Sequence, residues 1–199
     1  MPALLRRTLT ALAAASLALL AACSEPPPAF HATDITGAPY GRQFALTDHR
    51  GQPRTLEDFR GKVVTLFFGF TQCPDVCPTS LLTMGEVMRQ LGPDAERVQA
   101  LFVTVDPERD TQALLAEYVP TFDPRFLGLY GDLARTAEVA KEFRIFYRKS
   151  GDTSGTSYTI DHSAGTYILD QQGRLRLYVK HGENAENIAA DIRLLLTSK

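Results

Sequence analysis

Cys73 and Cys77 stand four positions apart in the stretch Phe68-Gly69-Phe70-Thr71-Gln72-Cys73-Pro74-Asp75-Val76-Cys77-Pro78. At a helix start, sulfurs at i and i+4 share one side of the chain. They are then close enough to pinch one ion or to join as a disulfide. Thiols near a helix N-terminus also lie where the dipole and free N–H groups favour thiolate. The common oxidoreductase spacing has two residues between the cysteines. A third widens the bite, which suits chelation without forbidding oxidation. In an exported chain a structural disulfide is the plainer alternative, but a loop this short stabilises little when closed. The flanking prolines and the position after an apolar run favour a working pair.

Two thiolates alone make a poor permanent metal site, so a third ligand is expected among four histidines. His31 lies in a proline-rich stretch, His49 in a polar turn, and His181 beside Gly182 at an exposed position. His162 follows Asp161 and leads into an apolar run, at a strand start expected beside the cysteine turn. It is the candidate ligand, a choice that leans in part on the resemblance given below. Two sulfurs and one imidazole form a soft, low-coordinate set suited to Cu(I). Zinc usually wants a fourth ligand or a water, and composition alone leaves it open. Asp106 and Asp161 are acids that could orient His162 or tune the thiols. For Asp106, followed by Pro107, a plain strand-end turn is an equal reading; for Asp161 adjacency proves little, since strand neighbours face opposite ways. Met84 and Met88 suggest thioether ligands but fit a core stripe better.

The elements that must position these groups follow from periodicity. Val63 to Gly69 is an apolar run short enough for a strand buried on both faces. A helix is expected from about Pro78 to Leu91, with proline in its first turn and Gly92-Pro93 closing it. Leu81, Leu82, Met84, Val87, Met88 and Leu91 are its expected apolar face. A second buried strand spans Val98 to Val105, then a helix from about Thr111 to Tyr118. Phe126 to Tyr130 is a third strand, and Leu133 to Phe143 a helix with Asp132 as N-cap. Phe44 to Asp48 and Arg54 to Leu56 read as a hairpin turning at Gly51. Phe146 to Tyr158, polar and Gly/Ser-rich, reads as a mobile excursion. His162 to Asp170 and Leu175 to Val179 read as a closing hairpin, with a helix from Glu183 to Leu196. Strands alternating with helices and ending in hairpin plus helix predict an α/β domain of thioredoxin-like order. Its central mixed sheet would be flanked by helices, with the N-terminal hairpin as an extension. Open α/β sheets carry their sites at the strands' C-terminal edge, where this turn would lie.

The chain has 199 residues, net charge −2 and three cysteines. That excludes a disulfide scaffold, and no basic block or interleaved aromatic stripe suggests nucleic acid. Residues 1–22 have a basic start, an Ala/Leu run and small residues before a cut site, as in a secretory signal. The apolar run from Leu9 to Ala22 is short for a spanning helix. Leu20-Ala21-Ala22-Cys23 resembles a bacterial lipobox, which makes Cys23 the expected lipidated first residue. Residues 23–42, with Pro26-Pro27-Pro28, then read as a flexible tether, and residues 43–199 as the domain. A lipid anchor to a membrane in the bacterial cell envelope, facing the periplasm or outside, is the expected location.

Three segments together resemble the Sco/SenC family of copper-binding, thioredoxin-like proteins. They are Phe68 to Pro78, Val105-Asp106-Pro107-Glu108-Arg109-Asp110-Thr111, and Asp161-His162-Ser163 leading into Tyr167. The likeness runs from about Phe44 to Leu196, in the family's order. It implies Cys73, Cys77 and His162 as copper ligands, with copper as Cu(I) or Cu(II). It also implies a metallochaperone that assists assembly of the dinuclear copper centre of cytochrome c oxidase. The copper-bearing oxidase subunit would be one partner, another periplasmic copper chaperone a second. Many members carry histidine where this chain has Gln72, a position that is not a ligand. The alternative is a thiol–disulfide reductase using the same two cysteines on a copper-site client. A peroxidase fits poorly, because Thr71-Gln72-Cys73 lacks a Pro-x-x-x-Thr lead-in.

Overall fold

In a computed structural model, which describes residues 29–197 except 154 and 156, the chain folds around one mixed sheet. Its strands are β1 (Thr33–Asp34), β2 (Ala45–Asp48), β3 (Pro53–Thr55), β4 (Val63–Gly69), β5 (Val98–Thr104) and β6 (Leu127–Tyr130), with two more near the C-terminus. The helices are α1 (Val76–Leu91), α2 (Gln112–Tyr118), α3 (Leu133–Glu142) and, last, α4 (Ala185–Thr197). Between α3 and α4 come β7 (Tyr147–Ser150), β8 (Thr159–His162), β9 (Thr166–Leu169) and β10 (Leu175–Val179).

The sheet order is β1-β10-β9-β4-β5-β6-β2-β3. Strands β4, β5 and β6 run parallel, while β9 lies antiparallel to β4 on its other side. Every residue of β4 is buried, as a strand covered on both faces requires. Helices α1 and α4 pack on each other. On α1 the buried positions Cys77, Leu81, Met84, Val87, Met88 and Leu91 recur every three or four residues, which makes one stripe on a 3.6-residue period. Both methionines are core. Leu82 is 63% exposed: one residue past Leu81 it is turned off the stripe, contrary to the expected face. Thr111 and Asp132 cap α2 and α3 by accepting from the Leu114 and Arg135 amides.

Three expectations change. The segment read as a mobile excursion contains a strand, β7, paired antiparallel with β8 as a separate two-stranded sheet. His162 therefore ends a hairpin and does not open the buried strand, which starts at Thr166. The described part of the expected tether is docked. β1 pairs with β10, and the His31 and Ala32 amides donate to the Asp191 carboxylate, which is fully buried on α4. His49 lies in the expected turn, where it is buried and its Nδ1 accepts the Gly128 amide at 3.0 Å. The expected signal segment and Cys23 lie outside the described residues. Among the described residues no helix is long and apolar enough to cross a membrane.

Candidate metal centre

Strand β4 ends at Gly69, and the next eight residues form the turn and first coil of α1 that hold both thiols. A Cβ added at Gly69 would stand 2.7 Å from Cys77 Sγ. Only glycine leaves room for that sulfur against the strand end. Cys77 sits in the first turn of α1 and is fully buried, while Cys73, just before the helix, is partly exposed. The Cys77 amide points at Cys73 Sγ, 3.4 Å away, so a free helix-start N–H faces the accessible sulfur. Burial pushes the Cys77 thiol pKa well above its ordinary value. Both thiols are free.

The imidazole arrives from the other sheet. His162 Nε2 lies 3.4 Å from Cys77 Sγ, and its Nδ1 donates to the Ser163 carbonyl at 2.9 Å. That bond fixes the tautomer and leaves Nε2 with its lone pair free, the arrangement a metal-binding histidine needs. The ring stands edge-on to Phe67 and Phe70, centroids 6.2 and 5.8 Å away. Burial lowers its pKa, which favours the neutral, ligating form.

Cys73, Cys77 and His162 thus offer three ligand atoms that all lie within 4.8 Å of one another. Bonds of about 2.0–2.3 Å put the donors of one ion roughly 4 Å apart, so the triad closes on a single ion with little movement. Two sulfurs and a nitrogen, partly buried and walled by phenylalanines, fit a soft ion such as Cu(I).

The acids are placed differently. Asp161 is exposed and pairs with Arg148 at 3.4 Å across the β7–β8 hairpin. Asp106 is fully buried and touches neither the thiols nor His162. Its oxygens accept from Tyr158 Oη at 2.7 Å and from Arg109 Nε at 2.5 Å. Arg109 in turn donates to the Tyr158 carbonyl and to Gln72 Oε1. The acid that shapes the cysteine turn is Asp110, which sequence reasoning passed over. Its buried carboxylate accepts from the Thr71 amide at 3.0 Å, Thr71 Oγ1 at 2.6 Å and Thr104 Oγ1 at 2.6 Å. Burial raises its pKa against those hydrogen bonds. The one signal in the sequence is the Asp106/Asp110 spacing after a buried strand, which puts two acids into one turn. Tyr118 was also missed. Its hydroxyl is buried without a partner among the described residues, and burial together with the nearby sulfurs raises its pKa. Of the other histidines, His31 is exposed and His181 bonds Ser80 at 3.2 Å; neither joins the triad.

A thioredoxin-like sheet with two thiols at the end of its central strand and an imidazole on an appended hairpin defines a soft-metal or dithiol domain. The SCO1/SenC family model matches residues 32–197, and the chain belongs to that family. It is 44% identical over 152 residues to the mitochondrial SCO2 homolog of Bos taurus, covering 75% of this chain and 57% of that protein. With an SCO2-like protein of Rickettsia felis it shares 39% over 142 residues, 71% of this chain and 68% of the other. The structure of Bradyrhizobium japonicum ScoI with copper bound matches with a TM-score of 0.73 and 43% identity, covering 79% of this chain and 99% of that one. The chain spans less than two thirds of the bovine relative's length.

Proposed function

We propose that this domain is a copper carrier in which Cys73, Cys77 and His162 hold one copper ion as cargo. The observation that carries the reading is the convergence of those three ligand atoms on one point, with the imidazole already in its ligating tautomer. The copper-bound ScoI structure supports the choice of ion. Release would proceed by ligand exchange, the partly exposed Cys73 being the thiol a recipient's ligands can reach first. Family membership supports cytochrome c oxidase as the destination, through the copper-bearing subunit and its dinuclear centre. Another periplasmic copper chaperone is a fitting donor. Anaerobic Cu(I) titration of the reduced domain, with spectroscopic ligand identification, tests the reading. One ion per chain with sulfur and nitrogen donors supports it; no binding above that of the oxidised domain defeats it.

The unequal exposure of the thiols favours a second activity of the same pair. A Cys73 thiolate can attack a client disulfide to give a mixed disulfide. Cys77 then closes the Cys73–Cys77 bond, so two electrons pass to the client as it gains two thiols. Cys23 belongs to this proposal as the lipid-attachment residue of an envelope protein facing the periplasm or outside. Membrane fractionation and lipid labelling of a Cys23→Ser variant are the check: unchanged labelling removes the anchor.

A further inference from the structure

The third ligand and the two thiols belong to different structural units, so something must hold the units in register. The β7–β8 hairpin closes largely on itself, through pairing from Tyr147↔His162 to Ser150↔Thr159 and the Ser163–Phe146 hydrogen bonds. It meets the main body through His162 itself, against Cys77, Phe67 and Phe70, through the buried Ile160, and through Tyr158 just before β8. Tyr158 is buried, its hydroxyl donates to Asp106 across 52 positions of chain, and its carbonyl accepts from Arg109 Nη1 at 2.7 Å. The Arg109 guanidinium lies 3.7 Å above the same ring and 5.8 Å from the centre of Phe70, the ring that faces His162 edge-on. The same Nη1 donates to Gln72, next to Cys73. The Arg109 and Asp106 side chains are 6% and 0% exposed. A second tie, the Lys149–Glu108 ion pair, is open to solvent on both sides and contributes little.

We propose that Asp106, Arg109 and Tyr158 form a latch that holds the His162 hairpin over the cysteine turn, and thereby sets the spacing between imidazole and thiols. This rests on the copper reading for its consequence, but the latch itself is a property of the metal-free protein. Asp106 neutralises and aims Arg109. Arg109 spans the three partners with its planar fork, Nε to Asp106 and the two N–H groups of Nη1 to the Tyr158 carbonyl and to Gln72, a spread of donors lysine cannot copy. The Tyr158 hydroxyl is the hairpin's buried polar contact with Asp106. Asp106 is therefore a positioning residue, working through two intermediaries on a ligand it does not touch.

Tyr158→Phe removes only the hydroxyl and keeps the stacked ring. In the metal-free domain, amide exchange across β8 should rise while β4 and β5 keep their protection. Copper affinity should fall about 10–100-fold, the usual cost of losing a group that orients a ligand. The imidazole nitrogen signature in the Cu(II) spin-resonance spectrum should broaden, and the alkylation rate of Cys73 should stay unchanged. Arg109→Lys should reproduce the rise in β8 exchange and the fall in copper affinity. Unaltered β8 exchange and affinity in both variants would overturn the latch, and so would a uniform rise in exchange through β4 and β5, which means global destabilisation. Wild type and His162→Ala are run alongside. If those two bind copper equally, the copper reading fails by itself, and β8 exchange still decides the latch.

Discussion

Cys77 Sγ and His162 Nε2 lie 3.4 Å apart although 85 positions of chain separate them. One belongs to a helix start, the other to the last residue of a hairpin in a second sheet. The contact separates the two chemistries of the site, because the metal needs both groups and disulfide exchange needs only sulfur.

His162→Ala should therefore lower copper affinity by at least the roughly 10–100-fold that follows loss of an orienting group. Reduction of a test disulfide should change far less, since it depends on thiolate fraction and access. Parallel copper titration and exchange assays check this. Equal copper binding in variant and wild type would remove His162 from the site.

The two thiols should react in order. Cys73, partly exposed and facing a helix-start amide, should be alkylated first, while Cys77, fully buried with its pKa raised, should resist until the domain opens. Peptide mass mapping after brief alkylation reads the order directly. Oxidation joining the pair should abolish Cu(I) binding, because the sulfurs are then unavailable.

Gly69→Ala should damage the site without replacing a ligand. Its Cβ would stand 2.7 Å from Cys77 Sγ and 3.0 Å or less from ring atoms of Phe67 and Phe102, all in the core. Overpacking of this kind costs about 1–3 kcal/mol, and here the sulfur must shift as well. A lowered denaturation midpoint together with weakened copper binding is expected; wild-type copper affinity would show that the sulfur has room to spare.

Asp110→Ala should loosen the turn before Cys73. It strands the Thr71 amide and the Thr71 and Thr104 hydroxyls, at about 1–3 kcal/mol for a buried group left unpaired. Chemical denaturation measures the loss. A variant as stable as wild type would mean that the turn is held elsewhere.

Stability of the metal-free domain should fall as pH drops. Burial lowers the His49 pKa from 6.5, and protonation at Nδ1 would break its hydrogen bond with the Gly128 amide. The unfolded chain then binds the proton more readily, so this contribution is complete above about pH 6.5 and is lost below it. His162, also lowered by burial, adds with the same sign. Denaturation midpoints between about pH 7.5 and 5.5 should show the decline, and His49→Asn, whose amide oxygen can still accept, should flatten it. An equally steep fall in the variant would assign the effect to other groups.

What the sequence by itself determined is what local pattern can carry. The apolar run Val63 to Gly69, short and followed by a proline-flanked turn, reads as a covered strand. The 3.6-residue stripe on α1 assigned Met84 and Met88 to the core, and Asp132 announced a helix start through its short polar side chain. The thiol spacing suited chelation of an ion without forbidding disulfide chemistry. Tertiary structure decided where groups distant in sequence meet. The Phe146 to Tyr158 segment reads as loop because its strand is short and polar, and its order comes from pairing with β8 and from Tyr158 reaching Asp106. Residues 31–34 look like linker until β10 and Asp191 supply partners for their backbone. His49 has no periodic neighbours to mark it as buried. Asp106 and Asp110, four residues apart, are indistinguishable by type, yet one braces the histidine hairpin and the other the cysteine turn. The physical reason is common to all of these. Periodicity records which face of an element is apolar, whereas a hydrogen bond to a distant partner leaves no periodic trace in the chain.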